Sequence, residues 1–232
     1  MKVTYDSKNH LSCIGLADSS HSWLLNSSII KPRLFLRLCQ LRCGLLPTKS
    51  RRARQVPDIN PLCSNHCGKV ETLSHILQVC HKTRDARRYR HNRVAVALMK
   101  DLQGPTKTVL YEPIIPTSTS FIKPDLIQID GNSATVIDVS IVDPSCLASA
   151  FATKASKYGS GENAMRIEKY LQNRYPTVTK ISHAPCIITY NGLIMAKSRK
   201  LLIPLGIRPY KLDRLCFIAA CGSITIHDVF MR

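Results

Sequence analysis

Four residues constrain this chain more than any other feature. Cys63, Cys67, His75 and Cys80 stand in the order C-x3-C-x7-H-x4-C, a thiol pair on a tight turn followed by a histidine and a cysteine around a short helix. Thiolate and imidazole ligands in a tetrahedral array suit Zn²⁺, and a segment this short gains its folding energy from such an ion. The spacing therefore predicts a structural zinc knuckle. Residues five apart on a regular α-helix lie about 140° out of register, so Cys80 is expected where the helix frays or ends. His66 and His81 remain open as substitute ligands. Without a metal, His75 and Cys80 would be ordinary members of the helix bearing Leu73, Ile76 and Leu77. Cys39 and Cys43, spaced i and i+4 on an earlier helix, read as core.

The segment Met1 to His10 is polar, so no export signal is expected and the ten cysteines read as reduced thiols. No run approaches the roughly 18 apolar residues of a membrane span, which predicts a protein outside the membrane. Charge is unevenly placed. Residues 31–107 hold 17 basic and 4 acidic residues, whereas 108–232 hold 14 and 9. Such a field steers polyanions, and neutralising phosphates releases counterions. A nucleic acid is the expected partner, ahead of a merely solvated basic face, because the charges cluster in Lys49–Arg54 (Arg51, Arg52 and Arg54) and in Arg84–Arg93 (Arg87, Arg88, Arg90 and His91).

Three regions are expected: a lead-in over 1–30, a basic helical region with the knuckle over 31–104, and a mixed α/β domain over 105–232. Leu34, Leu38 and Leu41 predict an amphipathic helix over 31–46 that stops at Gly44 and Pro47, and Val94, Leu98 and Leu102 predict a second over 84–102. Beyond Pro105, Thr108–Glu112, Phe121–Asp130, Ala134–Val142 and Cys186–Tyr190 read as strands. Pro144–Tyr158, capped by Asp143, and Glu162–Arg174 read as helices.

Gly131-Asn132 reads as a two-residue hairpin turn. Residue 130 then faces 133, every cross-strand pair sums to 263, and Asp125 faces Asp138. Opposed side chains on one sheet face have Cβ atoms about 4.5–5.5 Å apart, where two carboxylates repel. In so apolar a strand a divalent cation between them relieves the conflict, and Mg²⁺ is the hard ion that carboxylates, water and phosphate share. The alternatives are a slipped register, or Asp125 capping a turn while Asp138 pairs with a basic residue. Leu147, Phe151, Lys154 and Tyr158 share one helical stripe, so Lys154 points inward, with Lys157 at the edge of the same face. Either ammonium beside a carboxylate–metal pair suits metal-assisted phosphodiester hydrolysis.

Leu45-Leu46-Pro47-Thr48, the Cys63–Cys80 run with its Glu71-Thr72-Leu73-Ser74-His75 stretch, Arg90-His91-Asn92, Lys123-Pro124-Asp125 and Asp138-Val139 together resemble the C-terminal region of site-specific non-LTR retrotransposon polyproteins that carry a restriction-like endonuclease. The resemblance covers roughly residues 31 to 215. It implies a PD-(D/E)xK core that nicks double-stranded target DNA in the nucleus, the freed 3′ end priming reverse transcription of the element's RNA by a polymerase domain elsewhere in the polyprotein. It also implies Asp125 and Asp138 as Mg²⁺ ligands, Lys154 or Lys157 as the catalytic lysine, Cys63, Cys67, His75 and Cys80 as Zn²⁺ ligands, and Arg90 and His91 near the DNA; Lys123 is a further expected DNA contact. The usual pattern places lysine two residues after the second acid, where this chain has Ser140. The family's polymerase uses adjacent aspartates, and no Asp-Asp pair occurs here, so this chain is expected not to polymerise by itself. The competing expectation is a non-catalytic nucleic-acid-binding module built on the knuckle.

Overall fold

The computed structural model describes residues 17–18, 22–25, 30–56 and 58–232. The chain is mixed α/β with a helical, cysteine-rich N-terminal part. In that part β1 (Ala17–Asp18), α1 (Ser22–Leu25), α2 (Pro32–Arg42) and α3 (Lys49–Arg52) precede the knuckle and the long helix α4 (Arg84–Leu102). Helix α2 ends short of the expected residue 46 because the Leu45 amide closes back on the Gln40 carbonyl at 2.6 Å across Gly44. Helix α4 has the bounds its periodicity predicts. Residues 17–18 pair with a later strand, and Trp23 is buried with Phe35 and Phe217. The described part of the expected lead-in is thus built into the fold; the rest of 1–30 lies outside the described residues.

After α4 come β2 (Lys107–Tyr111), the hairpin strands β3 (Ile115–Pro116) and β4 (Phe121–Ile122), β5 (Leu126–Asp130), β6 (Ser133–Ile137) and β7 (Val139–Val142). They are followed by α5 (Leu147–Gly159), α6 (Gly161–Arg174), β8 (Lys180–His183), β9 (Cys186–Thr189), β10 (Ile194–Met195), α7 (Ala196–Leu202) and α8 (Pro209–Met231). Among the described residues, one sheet runs β2-β5-β6-β8 and another β1-β10-β9-β7. The hairpin register is the predicted one: Asp130 pairs with Ser133 and Leu126 with Ile137, around a turn in which Gly131 takes φ 58°.

Two expected strands are each broken in two. Phe121–Asp130 is interrupted at Lys123-Pro124-Asp125, since Pro124 has no amide to give to a ladder. Ala134–Val142 is interrupted at Asp138, where the chain leaves β5 and continues into the other sheet. Both halves stay parallel to the β8–β9 segment, because the Ala184 amide donates to the Val136 carbonyl and the Cys186 amide to that of Asp138, both at 2.9 Å. Asp138 is therefore the residue at which the main chain changes sheets.

The first sheet is covered on both faces, which explains why its central strands β5 and β6 are buried almost throughout. Leu126 and Ile137 face α4 and α8, packing with Val94, Leu98, Leu212 and Leu215. Ile127, Ile129 and Val136 face α5 and α6, packing with Tyr158, Ile167 and Leu171. The composition change near Pro105 thus does not divide two cores, since α4 from before it shares one with the segment after it. The C-terminal half of α8 joins the knuckle instead, with Ile224 and Phe230 against Leu38, Leu41, Ile76 and Leu77. Contrary to the expectation from the sequence, this helix is long and apolar enough to cross a membrane; its buried side supplies both cores, which accounts for its composition.

Gly222 shows how closely α4 and α8 approach. A Cβ there would stand 2.6 Å from Cγ of Arg90 and 3.1 Å from its Cβ. Alanine gains about 1 kcal/mol over glycine in a helix, but overpacking costs about 1–3 kcal/mol. Gly222→Ala is accordingly expected to lower the urea midpoint, and a raised midpoint would show that the helices yield at this contact.

Candidate functional site

The knuckle is assembled from three short pieces. Leu62 and Val70 form an antiparallel bridge, and the Cys63 amide donates to the Lys69 carbonyl at 2.9 Å. The intervening turn passes through His66 at φ 53°. Glu71, 2% exposed, braces it by accepting from the Lys49 amide, the Ser64 amide and the Ser64 hydroxyl. The third piece, His75–Val79, is a π-helix, whose wider turn takes the Cys80 amide back to the His75 carbonyl at 2.8 Å. This resolves the spacing problem, because residues five apart, awkward on an α-helix, share one side of a π-turn.

The ligand atoms of Cys63, Cys67, His75 and Cys80 all lie within 4.8 Å of one another, so these residues can hold a metal ion. Both His75 ring nitrogens are buried without a hydrogen-bond partner, as fits an imidazole reserved for an ion. Burial, reinforced by the neighbouring Cys67 and Cys63, pushes the Cys80 thiol up to about 12. Burial also acts to raise Cys67, but hydrogen bonds from its neighbours outweigh it and leave that thiol below its usual range. Clustered thiols of this kind need a cation before all can ionise. His81 stands outside the four, with Nδ1 3.1 Å from Cys67 Sγ. Cys43 is exposed and Cys39 half-buried, so only Cys39 meets the expectation of core.

The second cluster forms where both strands break. Asp125 Oδ2 accepts the Val139 amide at 2.6 Å and lies 3.4 Å from His91 Nε2. Asp138, 5% exposed, meets the Lys154 ammonium at Oδ2 and accepts from the Tyr158 hydroxyl at Oδ1, 3.3 Å away. Lys154 is thus brought to Asp138. Lys157 is exposed, its ammonium 4.5 Å from the centroid of the Tyr158 ring.

The sequence placed His91 among DNA contacts; the structure sets it on Asp125. Its Nε2 also stands 3.2 Å from the Val139 carbonyl, and its Nδ1 3.2 Å from Asn92 Oδ1. Its neighbours are acceptors, and the Asp125 hydrogen bond, opposed by burial, raises its pKa from 6.5 to about 9. A raised pKa in the folded state means stabilisation fully present below pH 6.5 and lost as pH climbs through about 9. Without added Mg²⁺, the stability gap between wild type and His91→Gln is expected to be wide at pH 6 and to close by pH 10 in urea titrations. A gap independent of pH would rule out the ion pair.

The other expected DNA contacts divide. Arg52, Arg54, Arg88 and Lys123 are exposed and Arg51 half-buried; Arg88 is bound to Asp85 at 3.0 Å and Lys123 to Glu112. Arg90 is a correction: it is 3% exposed, donates to Ser223 Oγ at 2.7 Å and to the Leu77 carbonyl at 3.2 Å, and ties α4 to α8 and the knuckle. Arg87 is another, since it donates to the carbonyls of Gln78 and Cys80. The signal for Arg90 was in the sequence, because the stripe of Val94, Leu98 and Leu102 extended back by four reaches residue 90.

No family model matches the chain. It is 28% identical over 189 residues to the Retrovirus-related Pol polyprotein from type-2 retrotransposable element R2DM of Drosophila melanogaster, covering 81% of this chain and 18% of the relative. A type-1 element R2 polyprotein of Bradysia coprophila is 28% identical over 82% of the chain and 21% of the relative; one of Popillia japonica is 33% identical over 85% and 40%. Its relatives are the Pol polyproteins of R2 retrotransposable elements. The chain spans about a fifth of the Drosophila and Bradysia polyproteins, and the R2 kinship takes in most of the described fold.

Proposed function

We propose that this chain is a metal-dependent DNA endonuclease with a restriction-like core, part of an R2-type retrotransposon polyprotein, which nicks double-stranded target DNA so that the freed 3′ end primes reverse transcription. The observation that carries this reading is the convergence of Asp125, Asp138 and Lys154 where two neighbouring strands break, in a strongly basic chain. Asp125 and Asp138 would hold Mg²⁺ as paired hard-oxygen ligands. A bound Mg²⁺ supplies water activation and charge stabilisation on the phosphate. Lys154, with its side chain 25% exposed, keeps its ammonium on Asp138 while facing solvent, where it can orient the attacking water. Cys63, Cys67, His75 and Cys80 would hold Zn²⁺ and keep the knuckle folded. Work on chromosomal DNA would be done in the nucleus, with the polymerase domain of the polyprotein and the element RNA as partners.

One observation favours the non-catalytic alternative. Each carboxylate already faces a cation of this chain, Asp125 with His91 and Asp138 with Lys154, a balance that a purely structural buried network would also show. The decisive experiment is nicking of supercoiled plasmid by the zinc-loaded chain. Mg²⁺-dependent nicking that disappears in Asp125→Ala is expected. DNA binding without metal-dependent nicking, or nicking that Asp125→Ala leaves untouched, would leave the binding module as the function.

A further inference from the structure

Tyr158 lies at the end of the stripe that carries Lys154 and is 1% exposed. Its ring fills the core beside Ile127, Val136 and Ile167, a task phenylalanine would perform without burying a hydroxyl. The hydroxyl is used at the carboxylate cluster. Its single proton is shared between Asp138 Oδ1 at 3.3 Å and the Lys123 carbonyl at 3.4 Å, two acceptors on opposite limbs of the broken hairpin. The Lys123 carbonyl stands two residues before Asp125. Tyr158 also follows Lys154 by four residues, so one turn of α5 presents an ammonium to one oxygen of Asp138 and a phenol to the other.

We infer that Tyr158 is a positioning residue of the carboxylate site, whose hydroxyl fixes the orientation of Asp138 and the place of the Lys123-Pro124-Asp125 segment so that the two carboxylates can share a divalent cation. This rests on Asp125 and Asp138 being the metal-binding pair. Lys157 lies over the ring and has no contact with the carboxylates among those described.

The test is Tyr158→Phe in the full zinc-loaded chain, which removes one oxygen and retains the ring. Mg²⁺ affinity is measured by calorimetry, nicking as a function of Mg²⁺, DNA affinity without Mg²⁺, and folding by a cooperative melt. Loss of such an outer partner is expected to weaken Mg²⁺ affinity by about 10- to 100-fold, with DNA affinity unchanged and most of the nicking rate recovered at high Mg²⁺. Mg²⁺ affinity equal to that of the wild type, whatever the melting temperature does, overturns the inference and leaves Tyr158 a packing residue. Wild-type protein that binds no Mg²⁺, or binding that Asp138→Asn does not weaken, overturns the metal site itself. The two failures are thereby told apart.

Discussion

Lys154→Ala is expected to slow nicking by about 10²–10⁴-fold, the usual worth of a positioned proton-transfer group, while zinc content and DNA affinity stay at wild-type levels. Lys157→Ala should nick at close to the wild-type rate. The two lysines sit three residues apart on one helix and carry the same charge, yet their surroundings differ. The Lys154 ammonium meets Asp138 Oδ2, whereas that of Lys157 lies over an aromatic face. Lys154→Ala also leaves a carboxylate that is 5% exposed without its ammonium, so a stability loss of about 2 kcal/mol is expected in urea. Single-turnover nicking on a saturating duplex separates the rate effect from binding. The reverse pattern, with Lys157→Ala inactive and Lys154→Ala unimpaired, would place the chemistry at the other end of the turn.

The second large effect concerns the knuckle. Cys63→Ser or Cys80→Ser is expected to reduce bound zinc to well below one equivalent and to melt residues 61–83, because apparent binding energies of structural zinc sites are about 10 kcal/mol or more. The damage should spread along a defined route. Ile224 and Phe230 in the C-terminal half of α8 pack with Ile76 and Leu77, and Arg90 donates to the Leu77 carbonyl. Hydrogen exchange should therefore accelerate in His75–Val79 and in the last turns of α8, and far less around Leu212 and Leu215, which belong to the sheet-facing core. Unchanged zinc content, or uniform exchange along α8, would contradict this account.

What could be foreseen from residues alone follows the range of the interactions involved. The hairpin register depends on a two-residue turn and the alternation of neighbouring side chains, so local counting places Leu126 opposite Ile137. The ligand set likewise follows from spacing. The break at Asp138 does not, because it depends on β8 and β9, some 45 residues later in the chain, offering a partner on the far side. Arg90 is the same lesson for charge. A basic residue in a basic helix reads as solvent-facing until Ser223 and Gly222, more than 130 residues away, provide a buried acceptor and the room beside it. His91 was singled out for a nearby motif, and its actual neighbour, Asp125, comes from a strand that no helical periodicity could connect to it.

The sheet change at Asp138 makes the hairpin a measured length. Inserting one residue into a single limb between Leu126 and Ile137 would throw its carboxylate out of step, and one in each limb would turn both toward the opposite helical layer. Two in each limb would return both to their present side. The turn at Gly131-Asn132, exposed at the far end, is free of this parity, so natural length variation in such chains is expected to collect there and to skip the limbs.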